Sequence, residues 1–78
     1  MALIGQTKME ILRLLEESPH HGYQLHKKLN ITTSTIYRHL EELEEANVVR
    51  EFETNDNTRI KYALTERGEE LLQLLWAE

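Results

Sequence analysis

Seventy-eight residues make one domain whose core is small, so a lone monomer is marginal and a partner subunit is expected. With no cysteine, disulfides, thiolate metal sites and thiol nucleophiles are excluded. No apolar run approaches a membrane span and no basic-then-apolar leader opens the chain, so a cytoplasmic protein without a membrane partner is expected.

The net charge of −5 opposes DNA binding as a sum, because such modules tend to be basic. Its distribution reads differently. Ser18 to Leu40 holds no Asp or Glu, but it holds Lys27, Lys28, Arg38 and all four histidines. The acid follows at Glu41, Glu42, Glu44 and Glu45, and again at Glu66, Glu69 and Glu70. Screening over about 8–10 Å lets a local positive face act on an acidic protein.

Thr7-Lys8-Met9-Glu10 has the form of a capping box, and Ile11, Leu12 and Leu15 supply an apolar face. The first helix is predicted over 7–18, stopped by Pro19. Residues 21–29 form a second, short helix with Tyr23, Leu25 and Leu29 apolar, closed by Asn30 in a left-handed conformation.

The third helix is predicted over 33–46, capped by Thr32 or Thr33. Ile36, Leu40 and Leu43 form its apolar stripe, and Asn47 ends it as Asn30 ends the second helix. The turn between the two helices is so short that they must cross steeply, which is a helix-turn-helix. Ser34, Thr35, Tyr37 and Arg38 lie away from the stripe. Small hydroxyls and an arginine near the start of such a helix suit a major groove, where Arg can fork onto guanine. The competing reading is a core helix with a solvated polar face.

Residues 48–64 form a hairpin: a β-branched and aromatic run from Val48, a turn cluster at 55–58, and an alternating run from Arg59. Ile60, Tyr62 and Leu64 are expected on the buried face, and Arg59, Lys61 and Ala63 on the other. Directly after a helix-turn-helix, the hairpin is a wing whose Asn57, Thr58, Arg59 and Lys61 can reach a phosphate backbone or minor groove. Thr65 caps a last helix over 66–78. Leu71, Leu72, Leu74, Leu75 and Trp76 cover most of its circumference, more than one small domain can bury, so these residues and Ile4 are expected at a dimer interface.

Three segments in order, His21-Gly22-Tyr23-x-Leu25, Thr35-Ile36-Tyr37-x-x-Leu40-x-x-Leu43 and Lys61-Tyr62-x-Leu64-Thr65-x-x-Gly68, resemble the PadR-type winged-helix transcriptional regulators. The resemblance covers roughly residues 11–72. It implies a prokaryotic-type, archaeal or viral homodimer that represses at a two-fold operator, with the third helix in the major groove and the wing along the adjacent backbone. Asn47 stands where that family usually has Gly, a change both residues' tolerance of positive φ accommodates.

The histidines are read as structural. His21 and His26 are five apart, about 140° around a helix, where a helical metal pair needs a spacing of four. No metal and no cofactor are expected. His39 lies beside the apolar stripe. His20 and His21 are read as a helix entry and as phosphate contacts, so DNA binding should tighten as pH falls from about 8 to 6. There is no Gly-rich phosphate loop and no nucleophile elbow, so the chain is not read as an enzyme.

The expected fold is therefore α+β, mostly α: a winged helix-turn-helix of three helices, a two-stranded β wing and a C-terminal helix. The expected function is sequence-specific binding of double-stranded DNA by a homodimeric repressor. Its expected contacts are Thr33, Ser34, Thr35, Tyr37 and Arg38 on the third helix, Lys27 and Lys28 on the second, and Asn57, Thr58, Arg59 and Lys61 in the wing. Two other readings stand beside it: a winged-helix protein-interaction module, and a small-molecule sensor with an apolar pocket at the dimer interface near Trp76. Nothing in the residues specifically supports an effector.

Overall fold

A computed structural model describes residues 5–52 and 60–76, with side chains through residue 74. Its elements run α1 (Gln6–Glu17), β1 (His20–His21), α2 (Gly22–Leu29), α3 (Thr33–Glu45), β2 (Val49–Phe52), β3 (Lys61–Leu64) and α4 (Glu66–Trp76).

Helix α1 opens at Gln6 behind Gly5, which has no side chain to cap it. Thr7 thus lies inside the first turn rather than at the cap the expected Thr7–Glu10 capping box requires, and the helix begins with its ordinary first bond, from Met9 N–H to the Gly5 carbonyl, 3.1 Å. The helix stops at Glu17 because Ser18, before Pro19, is extended. At α2, His21 is the cap. The Gln24 N–H donates to His21 Nδ1 (3.2 Å), and the His21 N–H donates back to Gln24 Oε1 (3.0 Å). Asn30 closes α2 at φ 58°.

Thr32 caps α3: its hydroxyl accepts from the Thr35 N–H at 3.4 Å. At the other end Asn47, at φ 64°, donates to the Glu44 carbonyl (2.9 Å), and the Val48 N–H donates to the Leu43 carbonyl (3.1 Å). This pair of bonds is a Schellman stop, and it turns the chain straight into β2. Thr65 caps α4, accepting from the Gly68 N–H at 2.9 Å and donating to the Asn47 carbonyl at 2.6 Å. One hydroxyl thereby ties the start of α4 to the end of α3.

The sheet has three strands where a two-stranded wing was expected. Its order is β1-β3-β2, all antiparallel, with His20 opposite Tyr62, His21 opposite Lys61, and Val49 opposite Leu64. The middle strand β3 also has α1 and α4 against it. This changes the burial expected of a simple hairpin: Ala63 is buried, and Ile60, placed on the buried face by alternation, is half exposed. Ile11, Leu12, Leu25, Ile36, Leu40 and Leu72 form the centre of the core, each less than 2% exposed.

Candidate nucleic-acid interface

Because Ile36, Leu40 and Leu43 face inward, the helical repeat turns Thr33, Ser34, Tyr37 and Arg38 to solvent near the start of α3. Thr35 is half-buried, and its hydroxyl oxygen accepts from the Thr32 hydroxyl at 2.9 Å. The Thr35 O–H proton therefore remains available to an outside acceptor. Two contacts link α2 to the turn and to α3. His26 Nδ1 lies 2.6 Å from the Ile31 carbonyl, which can only accept, so the ring donates across the turn. The Tyr37 ring lies over Gly22 at the start of α2.

Lys27 and Lys28 are exposed on α2. The Lys27 ammonium sits 5.7 Å from the Tyr23 ring centre, and the Lys28 ammonium donates to His20 Nε2 at 3.0 Å. Lys61 is half-buried at the start of β3, between His21 and Phe52 in register. Asn57, Thr58 and Arg59 lie outside the described residues, as do Ile4 and the side chains of Leu75 and Trp76.

Three expectations change. His20 is only 3% exposed, so it is not a phosphate contact and the expected pH response loses this residue. It belongs to β1, where pairing with β3 turns its ring inward. Leu72 is 1% exposed in its own core and is unavailable to a second subunit. Leu71 packs half-buried against the same core, which leaves Leu74, 78% exposed, as the outward leucine among the described residues of α4. One cation was missed. Arg50 is exposed on β2 with its guanidinium 5.6 Å from the Phe52 ring centre. The alternation of β2, carried on past Val49, would have placed Arg50 and Phe52 together on the outward face.

The acid is segregated. Lys8 on α1 reaches Glu42 at 2.5 Å, and its hydrogen bond and charge hold that carboxyl below the usual range. Burial, then the neighbouring charges of Glu51 and Glu41, push the Glu44 carboxyl up. Burial, then Glu44 and Glu51, push the Tyr62 hydroxyl up to about 12. Ser34 and Glu41, the first carboxylate of α3, are seven residues apart, about 10 Å along the helix axis and about the screening length at cellular salt, whereas Arg38, one turn before Glu42, helps lower that carboxyl. The start of α3 is thus free of carboxylates while its far end carries them. Among the described residues no three His, Asp or Glu side chains converge on a common point that could hold a metal, and no helix is long and apolar enough to cross a membrane.

Residues 5–51 match the family model described as "Bacterial regulatory protein, arsR family". The chain is 32% identical over 60 residues to an uncharacterized HTH-type transcriptional regulator of Methanocaldococcus jannaschii, an alignment that covers 77% of this chain and 63% of the relative. It superposes on the transcriptional regulator BldR of Sulfolobus solfataricus with a TM-score of 0.86 at 22% identity, covering 91% of this chain and 52% of the other. It superposes on Lactococcus lactis ZitR in complex with DNA with a TM-score of 0.81 at 25% identity, covering 92% and 50%. The chain thus spans less than two thirds of the curated relative and about half of these regulators. The family found is not the PadR type. The three segments that resemble it carry fold contacts, namely Gly22 under Tyr37, the Thr65 cap and Gly68 against Val48. These report winged-helix packing rather than a subtype.

Proposed function

The chain belongs to the arsR family of bacterial regulatory proteins, and on that premise we propose that it is a transcriptional repressor that binds double-stranded DNA sequence-specifically as a homodimer. The observation that carries this reading is the polar, carboxylate-free face at the start of α3, held by a stapled turn beside Lys27 and Lys28. In this reading α3 enters the major groove, where Arg38 reads a base and Thr33, Ser34, Thr35 and Tyr37 contact bases and phosphates. Lys27, Lys28 and Lys61 hold the backbone, joined by Arg50 and by Asn57, Thr58 and Arg59 in the wing. Leu74 faces the second subunit, and acting on DNA places the protein in the cytoplasm. Half-sites then lie about one helical turn, or a multiple of it, apart.

The test is a mobility shift with the DNA upstream of the protein's own coding region, at low and moderate salt, against a scrambled competitor. Specific retardation that weakens steeply with salt supports the reading. No retardation at low salt from folded protein removes it.

A further inference from the structure

We infer that His20 is a positioning residue for Lys28, its buried ring holding the Lys28 ammonium where a DNA phosphate is to be met. The inference rests on the DNA-binding reading above and adds a residue to it. His20 is buried, 3% exposed, although its ring carries two polar nitrogens. Its ring is tethered at both nitrogens. Nδ1 lies 2.7 Å from the Ser18 carbonyl, and Nε2 lies 3.0 Å from Lys28 Nζ.

The two partners have opposite and fixed chemistry. A carbonyl can only accept and an ammonium can only donate. Each therefore requires the same ring: hydrogen on Nδ1, lone pair on Nε2. The tautomer is specified twice over, and the ring connects the end of α1 to the last turn of α2. The backbone of His20 is itself held by pairing with Tyr62 on the middle strand. The Lys28 ammonium reaches the ring from α2, and Tyr62 stands opposite His20 in the strand register, its hydroxyl pushed up to about 12 by burial, then by Glu44 and Glu51.

The consequence falls on Lys28. A lysine is a compact charge on a flexible four-carbon stem, and fixing such a stem on binding costs affinity. Here one of its three N–H groups is already committed to an immobile ring, and two remain for a phosphate oxygen. The ammonium is thus ordered before DNA arrives.

Two measurements test this. The first needs no DNA. Ring 15N shifts of labelled protein at about pH 8, where histidines are largely neutral, should show His20 protonated at Nδ1 and bare at Nε2. In Lys28→Met the Nε2 signal should move as its donor is lost. A ring protonated at Nε2 overturns the inference. The second is a double-mutant cycle on affinity for a labelled duplex from upstream of the coding region. His20→Leu should weaken binding about threefold through lost ordering of one side chain. The same change made in Lys28→Met should have no further effect. His20→Gln, whose amide oxygen can accept from Lys28, should recover most of the loss and controls for damage to the core. A full His20→Leu effect in the Lys28→Met background overturns the positioning role. If wild-type protein binds no duplex at all, the DNA-binding reading fails and takes this role with it, whatever the tautomer shows.

Discussion

The ring of Tyr37 occupies the space that a side chain on Gly22 would need. A Cβ there would stand 2.6 Å from Tyr37 Oη and 2.7 Å from Cε1, and closer still to Cζ. Gly22 is the first residue of α2 and does not have a positive φ, so it is glycine for proximity rather than for backbone freedom. The obstructing atoms are the far end of an exposed side chain, which can swing away. Gly22→Ala should therefore leave stability unchanged or raise it by about 0.5–1 kcal/mol through a better helix residue. It should also displace Tyr37 and weaken DNA binding. A melting curve and a mobility shift on the same variant separate the two. A loss of stability above about 1 kcal/mol would show that Tyr37 cannot move.

Arg38 and Lys61 should behave differently on DNA. Arg38 is exposed on α3 without a carboxylate ahead of it on the helix. If it forks onto a base, Arg38→Ala costs about 1–3 kcal/mol and relaxes specificity at that base pair. If Lys61 holds a phosphate, Lys61→Ala should weaken all sequences about equally and reduce the salt dependence by about one phosphate. Titrating specific and scrambled duplexes at several salt concentrations distinguishes the two patterns. Operator binding by Arg38→Ala equal to wild type would misplace the recognition face.

Residues whose chemistry is local were legible. Asn30 and Asn47 stop helices because Asn tolerates positive φ, and each does so where its helical stripe ends. Thr65 caps α4 for the same kind of reason, and the Ile36–Leu40–Leu43 stripe faces the core as its period requires. What depends on distant partners was not. His20–His21 is a strand only because β3 lies beside it, and two residues carry no period. Leu72 and Leu74 differ by two positions on a helix apolar nearly all round, and only the placement of α4 on the core decides which is buried. The candidate DNA face was legible on α3, where the period places Ser34, Tyr37 and Arg38 outward. Arg50 escapes a reading that takes the run from Val48 only for its β-branched and aromatic residues.

Gly68 is the counterpart of Gly22, with the opposite expectation. A Cβ there would collide with the Val48 carbonyl oxygen and come within 3.0 Å of its carbon. That carbonyl accepts from the Thr65 N–H at 3.1 Å, so neither side can give without breaking the junction of α3, β2 and α4. Gly68→Ala should destabilise by about 1–3 kcal/mol as overpacking does. Thr65→Ala removes both the cap and the bond to Asn47 and should cost about 1–2 kcal/mol. Urea midpoints at constant slope would read both, and a neutral Gly68→Ala would mean that α4 is not seated as described.

Tyr62 gives the fold an alkaline limit. Its hydroxyl is pushed up to about 12 by burial first, then by Glu44 and Glu51. An unfolded chain ionises tyrosine near about 10. The folded state therefore keeps the proton where the unfolded state has lost it, and stability must fall as pH rises between those values. The contribution is complete below about pH 10 and is lost on the way to 12. Partial access of water to the hydroxyl limits it to roughly 1–2 kcal/mol. Tyr62→Phe has no such proton, so urea midpoints at about pH 9 and 11 should differ less in that variant than in wild type. An equal alkaline loss in both proteins would assign the effect elsewhere.

Leu74 and Leu72 separate assembly from folding. Leu74 is 78% exposed and contributes little to the core of one chain, so Leu74→Lys should leave the melting temperature of the isolated subunit unchanged. If α4 packs against a second copy, a two-fold interface repeats every substitution on both sides. Burying one leucine is worth about 1.5–3 kcal/mol, so the change should weaken the dimer by at least about tenfold, and more if both copies of the residue are covered. Sedimentation over a range of concentrations would read this as a shift toward monomer. Leu72→Ala should do the reverse: a stability loss of about 2–5 kcal/mol from the cavity it opens, with assembly affected only through unfolding. A Leu74→Lys protein that remains dimeric at the lowest measurable concentration would move the interface off this face of α4.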